Sequence, residues 1–281
     1  AFEATGHYSL NLELFLVNNG YSFMKVNPLI IHQFLKTRSL RRTKTDKADS
    51  LTIAKYLMSA PYKPNSDLLY TIFTLKSLCR ARENLIKERS KFAILLTNEL
   101  DKSFPELKPF FNNMISTTLL YILEKYTNTK HIATMKDYES IRKLSHGKFT
   151  YAKFAQLKEL AKNSVGFSNE NTDLLISTYI SIYNDFNNKI DPINKQISTI
   201  IKELNPRMLT IPGIGEISAA TILSEYGDIK NFSNSNKMLA FAGLDPSINQ
   251  SGTLEYNGKM VKHGSGHLRY AIMNSAMAVL R

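Results

Sequence analysis

The chain has 281 residues, 43% of them hydrophobic, enough for a folded core and for one large domain or two to three small ones. Its formal net charge is +12 and its pI about 9.5, an excess that favours a polyanionic partner, most simply nucleic acid, with an anionic membrane surface as the other option. No apolar run is long enough to span a bilayer and no secretory signal is present; the single Cys79 excludes an intrachain disulfide framework and a cysteine-based zinc site, so the cytoplasm is the default compartment.

The first sixty residues read as α/β. Ala1-Phe2-Glu3 ends a strand, His7 to Asn19 forms a helix closed by Gly20, and Tyr21 to Val26 is a strand that stops at Asn27-Pro28. A basic stretch from Lys36 to Lys47 leads into a helical run from Ala48 to Met58, closed by Pro61 and Pro64. Residues 66–104 read as one long helix with a coiled-coil-like seam of Leu78, Ala81, Leu85, Phe92 and Leu95. Arg80, Arg82, Lys87, Arg89 and Lys91 are expected largely off that seam, and Pro105 and Pro109 interrupt the helix. Residues 110–165 carry the least pattern. A second seam runs through Phe186, Ile190, Ile193, Ile197, Ile200 and Leu204, where Pro192 implies a kink or a helix start capped by Asp191. Two long amphipathic helices flanking an insertion predict an antiparallel coiled coil or an oligomerisation arm. Pro206 marks the next boundary, and there is neither an internal repeat nor a low-complexity tract.

From Leu209 to Gly227 the sequence has the pattern of a helix-hairpin-helix centred on Pro212-Gly213-Ile214-Gly215. Gly213 and Gly215 allow positive φ and a close approach of backbone to a ligand, and the N–H groups opening the next helix point at a phosphate. Ala219, Ala220 and Ile222 allow close helix packing. Such a hairpin grips DNA backbone without reading bases; an ordinary tight turn between helices is the plainer reading.

Asp46 and Asp49, at i and i+3, share one face of a helix, and Glu3 follows a strand. Three such carboxylates can jointly hold Mg²⁺, which prefers carboxylate and water oxygens and serves phosphoryl transfer. First-turn acids that complement a helix dipole, and a lone surface acid at Glu3, are the alternative. The basic run around them, Lys36, Arg38, Arg41, Arg42, Lys44 and Lys47, suits a nucleic-acid backbone as well as a solvated face.

Taken together these residues resemble the DEDD-type insertion-sequence transposases. Glu3-Ala-Thr-Gly-His-Tyr, Val26-Asn27-Pro28 and Lys44-Thr-Asp-Lys-Ala-Asp49 with Ile53-Ala54 look like the N-terminal half of that family. Ile211-Pro-Gly-Ile-Gly, Ala240-Phe-Ala-Gly-Leu-Asp-Pro246, Gln250-Ser251-Gly252 and Gly264-Ser-Gly-His-Leu-Arg269 look like its C-terminal transposase domain. The resemblance implies a fold of α/β plus mainly α type. An incomplete RNase H-like (RuvC-type) domain at 1–105 would be followed by a helical, coiled-coil region at 106–205 and a C-terminal helical domain with the hairpin at 206–281. It implies that Glu3, Asp46 and Asp49 are three of the four DEDD acids, holding Mg²⁺ or Mn²⁺, with the first Asp expected upstream of Ala1. It implies that Ser251 is the nucleophile that becomes joined to DNA, and that an element-encoded guide RNA pairs with both donor and target DNA.

A Ser hydroxyl needs a base or metal to activate it, and phosphoryl transfer needs charge stabilisation on the non-bridging oxygens. Lys259, Lys262, His263, His267 and Arg269 follow Ser251 and can supply that stabilisation, whereas without the family Ser251-Gly252 reads as a simple turn. Tyr256 is a second nucleophile on chemical grounds alone. The expected nucleic-acid contacts are Arg38, Arg41, Arg42, Lys44 and Lys47 beside the acids, Gly213 and Gly215 in the hairpin, and Lys259, Lys262, His263 and Arg269. The expected protein is a site-specific DNA transposase or recombinase, a homodimer or tetramer, cytoplasmic and nucleoid-associated, with double-stranded donor and target DNA and a guide RNA as partners and no membrane. A structure-specific nuclease and a non-catalytic DNA- or RNA-binding scaffold are the rival readings.

Overall fold

The computed structural model describes residues 1–3, 8–26, 28–38, 45–59, 69–229, 232–251 and 254–280. The chain is mainly helical with few strands and divides into two compact units, one formed by residues 1–77 with 204–281 and the other by residues 78–203.

In the first unit, strand β1 (Phe2–Glu3) pairs in parallel with strand β2 (Lys25–Val26), and helix α1 (Leu10–Asn18) is the crossover between them. Gly20, at φ +70°, turns the chain out of α1, a conformation that costs a residue without Cβ little. Glu13 is buried on α1, where the Ser9 hydroxyl donates to its carboxylate at 2.8 Å and Lys25 pairs with it. The ring of Phe23 is buried and stacks on Phe2 at 5.6 Å. The strand expected over Tyr21 to Val26 contracts to its last two residues. Pro28 opens helix α2 (Pro28–Arg38), a position where its missing N–H costs nothing. Helix α3 (Asp46–Ser59) starts two residues before the expected Ala48, because the Thr45 hydroxyl accepts the Ala48 N–H at 3.2 Å and caps it. Helix α3 packs against both α2 and β1.

The second unit is framed by two helices of equal length, α4 (Leu69–Ser103), of which residues 78–103 belong here, and α10 (Glu170–Leu204). They run antiparallel. Arg82 Nε donates to Asn194 Oδ1 at 2.5 Å and Arg89 Nη1 to Asn187 Oδ1 at 2.7 Å, while the Phe92 ring lies 6.2 Å from Tyr179 and 5.8 Å from Phe186. This register corrects the expected seam. On α4 the inward stripe is Cys79, Arg82, Ile86, Arg89, Ala93, Leu96 and Leu100, whereas Ala81 and Leu95 are exposed. On α10 the stripe is Ile176, Ile180, Tyr183, Asn187, Ile190, Asn194, Ile197 and Ile201, which keeps Ile190 and Ile197 from the expectation; the expected Phe186 packs on the expected Phe92 of α4, and the other positions move. Both stripes repeat in steps of three and four, and each places polar residues in its middle layers. Helix α10 runs through Pro192, which is exposed, so no helix starts there.

Between these helices stands a helical head. It comprises α5 (Leu107–Phe110), α6 (Thr117–Lys125), α7 (Thr129–Thr134), α8 (Tyr138–Leu144) and α9 (Tyr151–Lys162). Side chains of Ser116, Asn128 and Thr150 cap α6, α7 and α9. Leu107, Leu119, Ile122, Ile132, Ile141 and Leu157 are fully buried and form one core with Leu96, Leu100, Ile176 and Ile180 of the frame. At its root Glu106 accepts from the Ser164 hydroxyl at 2.7 Å and the Val165 N–H at 3.0 Å. Burial pushes that carboxyl up, and the two hydrogen bonds outweigh it, so the pKa lies below its usual value. Asp137 is held well below the carboxylate range by the Lys125 ammonium, with Tyr121 also donating to it at 2.9 Å.

The C-terminal part of the first unit begins with a single 3-10 turn (Arg207–Thr210), followed by helices α11 (Glu216–Tyr226) and α12 (Ser235–Ala242). Strands β3 (Pro246–Ser251) and β4 (Leu254–Met260) form an antiparallel hairpin, and helix α13 (Gly266–Val279) follows. The β-hairpin is an addition to the helical domain expected here. Ala219, Ala220, Ile222, Ala242, Leu268 and Ala271 are buried where α11 and α12 meet α13.

The ionisation of Asp137 yields a prediction. Its folded pKa is depressed, so its pairing stabilises the fold above the unfolded pKa of ~3.9 and is lost as pH falls from there towards the folded value. Asp137→Asn therefore lowers Tm at pH 7, and thermal scans show the gap to wild type closing below about pH 4.

Candidate functional site

The acids expected to hold a metal are carried by two neighbouring elements. Glu3 is the last residue of β1, half-buried, and α3 lies against that strand with Asp46 and Asp49 one turn apart at its start. Asp49 is half-buried and its N–H donates to the Thr45 carbonyl at 2.9 Å. The side chain of Asp46 lies outside the described residues. Among the described residues no group of three His, Cys, Asp or Glu is arranged to hold a metal ion. The donor chemistry nevertheless suits a hard cation, since all three groups are carboxylates. Of the basic residues expected beside them, Lys47 is exposed on α3 and Arg38 ends α2, its side chain undescribed; Arg41, Arg42 and Lys44 fall outside the described residues.

The Pro212-Gly213-Ile214-Gly215 segment connects the 3-10 turn to α11. Gly213 has φ +83°, and a Cβ there would meet the Ser275 carbonyl at 2.5 Å and the Val279 side chain at 2.7 Å, so the segment is seated on α13. Gly215 is the N-cap of α11 in extended backbone, and a Cβ there would meet nothing within 4 Å. The first N–H groups of α11 open at this uncapped glycine, without intrahelical partners. The element before the turn is one 3-10 turn rather than a full helix.

Ser251 is the last residue of β3 and pairs with Leu254, the first of β4, so it stands at the end of the strand ladder. The side chains of Ser251 and Lys259 are outside the described residues, and Tyr256 faces Asn249 in the ladder register. After β4 the chain turns through Lys262 (φ +55°), exposed His263 and Gly264 (φ +149°), where a Cβ would run into the Phe241 carbonyl. Arg269 reaches back: Nη1 donates to the Ala242 carbonyl at 3.1 Å and lies 3.5 Å from that of Lys262, which ties this turn to α12.

Sequence reasoning did not single out Glu225. It is buried on α11 with 4% exposure and accepts the Ser265 hydroxyl at 2.8 Å, while Lys76 of α4 lies 3.4 Å from its carboxylate. Ser265 in turn caps α13 by accepting the Leu268 N–H at 3.2 Å. The cluster anchors the start of α13 directly behind the Lys262–Gly264 turn. Nothing in Ser-Glu-Tyr-Gly distinguishes this acid from a surface residue at a helix end.

Two family profiles match the chain. Residues 1–105 match a transposase profile of the DEDD IS110 type, and residues 205–281 match the transposase IS116/IS110/IS902 family. The transposase for insertion sequence element IS1111A of Coxiella burnetii is 30% identical over 124 residues, which cover 43% of this chain and 34% of that protein. The pilin gene-inverting protein of Moraxella bovis is 25% identical over 290 aligned positions, covering 99% of this chain and 66% of that protein. The chain thus spans between about one third and two thirds of the length of these relatives. The matches define the class as insertion-sequence transposases. Within that class the chain belongs to the IS110 family, as the motifs at its two ends implied.

The two glycines of the connecting segment separate structure from binding. Gly213→Ala forces a side chain into the Ser275 carbonyl at positive φ and costs about 1–3 kcal/mol in denaturant unfolding. Gly215→Ala meets open space but replaces an N-cap residue and costs at most about 1 kcal/mol, so a loss of DNA binding by the folded variant reports on backbone approach.

Proposed function

We propose that this protein is a DNA transposase or site-specific recombinase that cuts and rejoins strands through Ser251, working with an acidic site at Glu3, Asp46 and Asp49. The observation that carries the reading is the placement of Ser251 at the end of the β3–β4 ladder in the same compact unit that contains β1 and α3. The acids belong to that unit despite some two hundred residues of intervening sequence.

In the proposed step the Ser251 Oγ attacks a backbone phosphorus as its proton passes to a base. A serine–phosphate bond forms, the bond from phosphorus to the departing strand oxygen breaks, and that strand leaves as a hydroxyl. Attack by the hydroxyl of another strand reverses the sequence and frees the serine. Glu3, Asp46 and Asp49 would hold Mg²⁺ or Mn²⁺, which supplies charge stabilisation to phosphate oxygens. Lys262 and His263, both exposed in the turn after β4, are placed to meet DNA phosphates, as are the opening N–H groups of α11. The N-terminal βαβ unit is read as part of an RNase H-like domain and the segment at 207–226 as a helix-hairpin-helix variant. A guide RNA and an assembly of two or four chains complete the reading, on the strength of the family resemblance and the net charge of +12.

The test supplies the full-length chain with RNA transcribed from its element and labelled donor and target DNA, and scores covalent protein–DNA adduct. Ser251→Ala is expected to reduce adduct by at least ~10³-fold. As much adduct with Ser251→Ala as with wild type rules out this nucleophile. Unchanged cleavage with no adduct in either protein assigns a metal-dependent nuclease instead.

A further inference from the structure

The helical head contains a second candidate nucleic-acid site, built on α9. Tyr151, Phe154, Lys158 and Lys162 follow one another in steps of three, four and four, so they form one stripe along that helix. Tyr151 is 65% exposed, yet its ring is fixed from two sides: it meets Tyr138 edge-on at 5.2 Å and stacks on Phe154 at 6.1 Å. Phe154 is buried and anchors the group. Lys158 donates to the Met135 carbonyl at 2.8 Å and lies 5.6 Å over the Phe154 ring, which holds its ammonium at the rim. Lys162 is exposed and pairs with the exposed Glu159 at 3.0 Å, a surface pair worth little and readily exchanged for a phosphate. Tyr151, Phe154, Lys158, Glu159 and Lys162 line a cavity of about 210 Å³. That is smaller than the ~300–1,000 Å³ clefts that enclose whole small molecules, and it suits a single planar group.

The surroundings are cationic. Residues 136–162 carry seven Lys or Arg and three Asp or Glu, a net +4, and Asp137 is already matched by Lys125. Lys136, Lys143, Lys148 and Lys153, close to the aromatic residues in sequence, are exposed.

We propose that this stripe binds single-stranded nucleic acid, with an unpaired base stacked on Tyr151 and the adjoining phosphates held by Lys158 and Lys162. An exposed ring of locked orientation flanked by lysines is the stacking platform that single strands use, because every base offers a π-face. A duplex, whose bases are already stacked, reaches the lysines but not the ring. The strand can be RNA or DNA, since the chemistry is shared, and the inference is independent of strand transfer at Ser251.

The test uses the full chain and fluorescent oligonucleotides of about 12 nucleotides, within the usual site size, as single-stranded RNA, single-stranded DNA and duplex. Fluorescence anisotropy is expected to show Tyr151→Ala weakening at least one single strand about fivefold or more, Tyr151→Phe binding like wild type, and duplex affinity unchanged. Lys162→Gln lowers the slope of log affinity against log salt by about 0.7. A 5-iodouracil-labelled strand photocrosslinks to the α9 peptide. A larger effect on RNA assigns the site to a guide strand and a larger effect on DNA to a displaced substrate strand, and either supports the proposal. Wild-type single-strand affinity in folded Tyr151→Ala, an equal loss for duplex, or crosslinks confined to residues 204–281 overturns it. Cleavage is not scored, so this failure is separate from failure of the Ser251 reading.

Discussion

The antiparallel pairing of α4 and α10 is the constraint on which the rest depends. Each helix has 35 residues, about 50 Å at 1.5 Å per residue, and the Arg82–Asn194 and Arg89–Asn187 hydrogen bonds fix their register. Residues 204–281 join residues 1–77 in one compact unit, and the paired helices with the head between them belong to the other. A slip of one heptad would keep one Arg–Asn pair but leave the other arginine and the other asparagine facing apolar residues, and an unpaired polar group in such a layer is costly. Polar layers are the means by which coiled coils reject wrong registers at some cost in stability.

Within the compact unit, the C-terminal motifs of the family divide by physical role. Gly213, Gly264 and Arg269 hold backbone segments together: the two glycines because a Cβ would strike a neighbouring carbonyl, the arginine through its bonds to main-chain oxygens. Lys262 and His263 are exposed in a turn and Gly215 faces open space at a helix start, where a ligand can approach, while Ser251 ends β3. Glu225 bridges the two sets through Ser265, since the helix start that it anchors immediately follows the exposed turn.

Much of this was legible in the sequence, and the exceptions have physical causes. Residues 66–104 were read as one helix and α4 spans Leu69–Ser103, because its apolar period and the flanking prolines agree. The seam is legible only in part, at Phe92, Phe186, Ile190 and Ile197. Hydrophobicity favours the stripe through Ala81 and Leu95, but Arg82, Arg89, Asn187 and Asn194 occupy inner layers that a purely apolar pattern assigns to solvent. Pro192 suggested a break that does not occur, as its ring sits on the exposed side of α10. The head gave little signal because its five helices are short, the longest 12 residues, and depend on caps and a shared core rather than on their own periodicity. The strands that flank Ser251-Gly252 carry little signal, since polar Asn249, Gln250, Glu255 and Asn257 mask the alternation of a strand. The role proposed for Ser251 rests on the family motif, and α3 lying against β1 brings together the elements that carry the acids.

The central claim is that DNA becomes attached to Ser251 at the end of β3. Adduct formed by the full-length protein with its RNA and DNA can be trapped, digested with nuclease and protease, and sequenced by mass spectrometry. The account predicts a nucleotide remnant on the peptide containing Ser251, localised to that side chain. A remnant on Tyr256, or strand cleavage proceeding with no remnant on any peptide, would contradict it.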